Sequence, residues 1–79
     1  MRAKFSPGDR VEVNCLHWRG DAVVRGWCPG TVVAVDARMA AIRCDAEVYA
    51  NTGWPIADRV LWSAHGSPNL RPQTTQATS

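Results

Sequence analysis

Polar and apolar residues alternate over Arg10-Val11-Glu12-Val13, just after the turn-forming Pro7-Gly8-Asp9, which predicts a first β-strand with Val11 and Val13 facing inward. The alternation then lapses. Between residues 14 and 26 no period is sustained, and Gly20, Gly26 and the polar set Asn14, His17, Arg19, Asp21 and Arg25 predict a long irregular hairpin loop. Trp27-Cys28-Pro29-Gly30 reads as a second turn, launching the β-branched run Thr31-Val32-Val33-Ala34-Val35 as strand two. Asp36-Ala37-Arg38 is a tight connection, and Met39 to Cys44 returns as an antiparallel partner. Asp45 to Asp58 forms a second irregular stretch. Arg59-Val60-Leu61-Trp62 predicts strand four, with Trp62 in the core, and Asn69-Leu70-Arg71 a short fifth strand stopped by Pro72. Five short strands joined by turn chemistry predict an all-β fold, a small five-stranded barrel over residues 1–72. The polar tail, residues 73–79, is expected to be disordered.

Size and composition narrow this picture. Seventy-nine residues make one domain, near the lower limit at which a chain folds alone, and 46% hydrophobic content supplies a core. No run approaches the roughly 18 apolar residues of a membrane span. The segment Met1 to Ser6 is basic but lacks the apolar stretch of a signal peptide. A cytoplasmic protein without a membrane partner is expected. The richness in alanine, arginine, valine and aspartate suggests a GC-rich bacterial gene, and so compact a chain suits an integron cassette.

Charge and cysteines add limits rather than an activity. The net charge of +2 is too small to mark a nucleic-acid protein by itself, so only folding onto one face would turn the scattered arginines into a binding patch. Cys15, Cys28 and Cys44 are odd in number and widely spaced, a poor disulfide framework that fits a reducing compartment. Together with His17 and His65 they have zinc-ligand chemistry, but Cys-x-His followed by two distant cysteines matches no standard spacing. No metal or cofactor is expected. Neither a catalytic triad, a phosphate-cradling glycine loop nor a paired-carboxylate signature is present, and Cys15 with His17 lacks an orienting third group, so no catalytic residues are assigned.

The three phrases Phe5-x-x-Gly8-Asp9-Arg10-Val11-Glu12-Val13, Trp27-x-Pro29-Gly30-Thr31-Val32-Val33 and Asn69-Leu70-Arg71-Pro72 resemble the Tudor and Agenet branch of the SH3-like barrels. The resemblance covers most of residues 5–72. It departs from the family where Val48 to Pro55 replaces a short turn. Domains of this kind hold methylated cations against the π faces of loop aromatics. By position the resemblance implies Trp18, Trp27, Tyr49 and Trp54 as ligand-binding rings, with Asp45 as the negative charge beside them. The plasmid-borne dihydrofolate reductases of the same fold share the Gly-Asp-Arg-Val opening, but their Val-Gln-Ile-Tyr-Pro segment is missing here. A non-catalytic binding module is therefore expected, its ligand a peptide, a methylated cation or a nucleic-acid strand. Two alternatives stand beside it: a homo-oligomer with these rings in its interface, and a single-stranded nucleic-acid binder with arginines gathered among them.

Overall fold

In the computed structural model, which describes residues 5–73, Ser6-Pro7-Gly8-Asp9 closes a type II turn. Asp9 N–H donates to Ser6 O at 3.1 Å, and Gly8 takes φ +96°, a conformation that a side chain would strain. The Asp9 carboxylate accepts Ser6 N–H at 2.9 Å. From this turn the chain enters β1 (Arg10–Arg19) and returns as β2 (Ala22–Val35). The two are paired from Arg10↔Thr31 to Arg19↔Ala22. Gly20 fills the first central position of the two-residue turn with φ +66°, the arrangement of a type II′ hairpin. The loop expected over residues 14–26 is therefore two paired strands, and Trp27 lies inside β2 instead of at its start.

Four further strands complete the sheet: β3 (Met39–Cys44), β4 (Val48–Tyr49), β5 (Val60–Ala64) and β6 (Leu70–Pro72). The order is β4-β1-β2-β3-β5, all antiparallel, with β6 also pairing β1. β4 and β6 share one edge of β1, at Leu16↔Tyr49 and Val13↔Leu70 respectively. The described residues are all-β without a helix, and the sheet is not closed: β5 pairs with neither β4 nor β6. The second irregular stretch is thus partly built into the sheet through β4, while a turn spanning residues 50–54 stands off it.

The expected connection at Asp36-Ala37-Arg38 is present, its backbone held by Asp36 Oδ1, which accepts the N–H groups of Arg38 and Met39 at 2.8 and 2.7 Å. Register slips between Val32 and Ala34, a bulge that leaves Val33 unpaired and exposed. Phe5, Val11, Val13, Cys15, Cys28, Val32, Ala40, Ile42, Cys44, Val48 and Leu70 form one core. Full burial of a valine- or isoleucine-sized side chain contributes about 1.5–3 kcal/mol. Gly30 sits opposite Val11 and Cys44, where an added Cβ would lie 2.7 Å from Arg43 O and from Ile42 Cγ2.

Trp62 departs from its expected place in the core. Leu61, opposite Ile42, takes the inward position on β5, so strand alternation turns Trp62 out, and it is 56% exposed. At the other terminus of the fold, Gln73 N–H donates to Arg10 O at 3.1 Å, and its side chain accepts Arg10 Nε at 3.0 Å, so the sheet pairing continues one residue past β6. Residues 74–79 of the expected tail, like residues 1–4, lie outside the described residues.

Candidate functional site

Residues opposed across an antiparallel pair project to the same face. Along β1, Val11, Val13, Cys15 and His17 are buried, and the alternate residues form the outer face. The strand pairing assembles that face in rows: Glu12 with Pro29 and Arg71, Asn14 with Trp27, Leu16 with Arg25 and Tyr49, and Trp18 with Val23. Three aromatic rings and two arginines thus share one surface of the β1–β2–β4–β6 region. Arg71 lays its guanidinium 3.7 Å from the centroid of the Trp27 ring while its Nε donates to Glu12 Oε1 at 2.8 Å. Arg25 Nη2 donates to Asn51 Oδ1 at 3.1 Å, anchoring the 50–54 turn to β2.

Of the residues expected to bind ligand, Trp18, Trp27 and Tyr49 fall on this outer face. Trp18 is exposed, its N–H donating to Glu47 O at 2.9 Å, and Tyr49 is half-buried, its hydroxyl donating to Glu47 Oε1 at 3.4 Å. Trp54 stands on the turn, 74% exposed, with its carbonyl accepting Ala50 N–H at 2.8 Å. Asp45 is occupied by a two-pronged hydrogen bond from Arg10, at 2.7 and 3.2 Å, which holds the guanidinium above its ordinary pKa. Its charge is spent on fixing the end of β1.

A cleft of about 370 Å³ opens along the edge of β1, in the gap between β4 and β5. Tyr49 lines it from β4 and Trp62 from β5, with Ile56 and Leu61 as apolar wall and Arg25 and Asn51 among its polar lining. Asn14 also lines it, and its Oδ1 is buried without a hydrogen-bond partner among the described residues, whereas its backbone N–H donates to Asn69 O at 2.9 Å. Asn14, Asn51 and Trp62 are absent from the set expected from sequence, and Arg25 was expected only as one of the cations of the nucleic-acid alternative. The hairpin register places Asn14 beside Leu16 and Trp18 along β1 and Arg25 beside Trp27 along β2.

The three cysteines converge on the inner face. Gly26 lies opposite Cys15 and Gly30 opposite Cys44, which leaves both thiols free to lean toward Cys28 on β2. All three are buried and free, and Cys28 Sγ donates to Pro29 O at 3.6 Å. The Cys15 and Cys44 thiols and Ala46 N–H beside Cys28 lower its pKa. Cys15 is pushed up to about 11, chiefly by Cys28 and by burial and against an opposing effect of Cys44, and Cys44 is raised by both neighbouring thiols and by burial. His17, on the same face, donates Nδ1–H to Cys15 O at 3.0 Å. His65 lies apart, stacked on Phe5 at 6.2 Å. It accepts Phe5 N–H on Nδ1 at 3.2 Å and donates Nε2–H to Asp36 O at 2.9 Å, contacts that define the neutral Nε2–H tautomer. Among the described residues no group of three or more His, Cys, Asp or Glu side chains is placed to hold a metal ion.

Comparison with protein families, with curated proteins and with solved structures returns no match for this chain. No helix among the described residues is long and apolar enough to cross a membrane.

Proposed function

We propose that this chain is a small non-catalytic binding module that holds a single strand of nucleic acid across the outer face of β1, β2 and β4. The observation that carries this reading is the interleaving of Trp18, Trp27 and Tyr49 with Arg25 and Arg71 on one surface. Trp18 and Tyr49 on such a surface stack on bases whatever their identity, Trp27 is capped by Arg71, and the cations neutralise the phosphates between them. Folding has done what the modest net charge left open, bringing two dispersed arginines beside the aromatics. The SH3-like, Tudor-like reading of the fold is supported by the strand order, in which the last strand, β6, returns to pair with the first. A methylated-cation cage is the weaker reading, because the Trp27 π face already carries Arg71 and Asp45 already carries Arg10.

Titrating tryptophan fluorescence with a single-stranded oligonucleotide of about ten nucleotides tests the proposal. The expected result is quenching at low salt, with a log–log salt slope of about −1 to −2 if two arginines displace counterions. Arg25→Ala and Arg71→Ala should each flatten that slope. Absence of quenching at low salt overturns the reading, and so does saturable binding of a trimethyllysine peptide in its place. A stable dimer in light scattering that blocks oligonucleotide binding assigns the same rings to a subunit interface.

A further inference from the structure

We infer that the cleft beside β1 is a pocket for one base of the bound strand, with Asn14 meeting the base's hydrogen-bonding edge; this rests on the nucleic-acid reading above. The cleft's volume of about 370 Å³ lies within the range of roughly 300–1,000 Å³ typical of small-molecule sites. Its walls are chemically divided. Tyr49 and Trp62 line it from opposite sides of the gap, and Leu61 supplies apolar floor. A flat heteroaromatic ring suits these walls better than a tetrahedral or branched ligand does.

Asn14 sharpens the class of ligand. Its Oδ1 is a buried acceptor with no donor, and such a group destabilises the free protein until a donor reaches it. A carboxamide presents an acceptor and a donor side by side, the complement of the adjacent N–H and acceptor on a base edge. A carboxylate ligand would bring acceptors to an acceptor, and a hydrocarbon would leave Oδ1 unmet. Arg25 also lines the cleft and is held there by Asn51, a cation placed for the phosphate attached to an inserted base. The cleft therefore adjoins the outer face on which the rest of the strand lies, since Asn14, Arg25 and Tyr49 belong to both.

Fluorescence anisotropy with two oligonucleotides of equal length, oligothymidylate and a fully abasic strand, tests the inference on the native chain. Oligothymidylate should bind about tenfold tighter than the abasic strand. Asn14→Leu should lose about tenfold on oligothymidylate and nothing on the abasic strand. The same substitution removes an unmet buried acceptor, so its Tm should rise by a few degrees, a change in the direction opposite to that of a structural asparagine. Unaltered binding by Asn14→Leu or a lowered Tm overturns the base pocket while leaving the outer-face reading in place, and equal binding of the two strands overturns both, because stacking on the outer rings also requires bases. Binding of neither strand at low salt overturns both. Should Asn14→Leu fail to fold, Trp62→Ala decides: it removes a cleft ring that lies on β5, outside the β1–β2–β4 face, and should lose about tenfold on oligothymidylate and nothing on the abasic strand, unaltered binding overturning the pocket.

Discussion

On the inner face of β1, Val11, Val13, Cys15 and His17 are all buried, and His17 spends its Nδ1–H on the backbone of its own strand. On the outer face of the same strand, Glu12, Asn14 and Leu16 stay part-exposed, Trp18 is open, and the Asn14 amide oxygen has no partner. The strand is one object with two standards of finish. A face that completes its own contacts specifies the fold. A face that keeps rings half-covered and an acceptor unmet is the one we propose for binding. Substitutions on the two faces should accordingly fall into different classes, inner ones reducing stability and outer ones reducing binding.

The largest expected effect is on the inner side. Gly30→Val drives a Cβ against the Arg43 carbonyl and Ile42, and backbone cannot yield as a side-chain tip does, so a loss of about 3 kcal/mol or more is expected. Gly26→Ala is its control: the new Cβ meets only His17 Cε1 at 3.9 Å, ordinary contact, and stability should change little. Urea midpoints at constant m-value compare the two. Equal losses would show that the inner face tolerates volume poorly everywhere, and the contrast between the faces would weaken.

Next in size is a pH effect that belongs to the inner face alone. Cys15 and Cys44 have pKa values raised above that of an unfolded thiol. Above about pH 9 the unfolded chain therefore releases protons that the folded chain retains. Stability should fall as pH rises from about 9 through 11. Cys28, shifted the opposite way, adds stability that grows toward pH 9 and adds no further slope beyond it. Urea unfolding from pH 7 to 11 measures the profile, and the double variant Cys15→Ala/Cys44→Ala should flatten its alkaline limb. A limb that persists in that variant would place its origin elsewhere.

Smaller effects belong to the outer side. Trp18→Ala should cost under about 1 kcal/mol of stability while weakening oligonucleotide binding at least fivefold. Asp45→Ala breaks an exposed ion pair with Arg10 and should cost about 0.2–1 kcal/mol, less at high salt. Smallest of all is Arg59→Gly. Arg59 holds φ +61° ahead of β5, so relief of the left-handed strain and the added backbone entropy nearly cancel, leaving a change within about 0.5–1 kcal/mol.

Much of the sheet was legible in the sequence because its turns are written in residues with narrow conformational preferences. Pro7-Gly8-Asp9 and Asp36-Ala37-Arg38 each do in the structure what their chemistry predicts. The β1–β2 hairpin was not legible beyond Val13. There the inward positions pass from valine to Cys15 and His17 while the outward positions become Leu16 and Trp18, so a hydrophobicity period reads as broken although the strand continues. Trp62 misled for a related reason. A large ring inside an apolar run reads as core, but Leu61 already fills the inward place against Ile42. Tyr49, Trp18 and Trp27 were singled out by their ring chemistry and by their positions in the Tudor-like resemblance. The cleft's polar half, Asn14, Arg25 and Asn51, depends on which residues stand opposite one another, and spacing along the chain does not carry that information.

The three-thiol cluster also makes the protein its own stopwatch. Cys28 is wholly shielded and Cys44 nearly so, whereas Cys15, at 8% exposure, lines the cleft. A small alkylating reagent should therefore reach Cys15 through local widening of the seam between β4 and β5. Cys28 and Cys44 should be labelled only when the β1–β2–β3 sheet itself comes apart. The ratio of the two labelling rates, read by mass spectrometry, separates breathing of the cleft from loss of the fold, and a ligand seated in the cleft should slow the first clock more than the second.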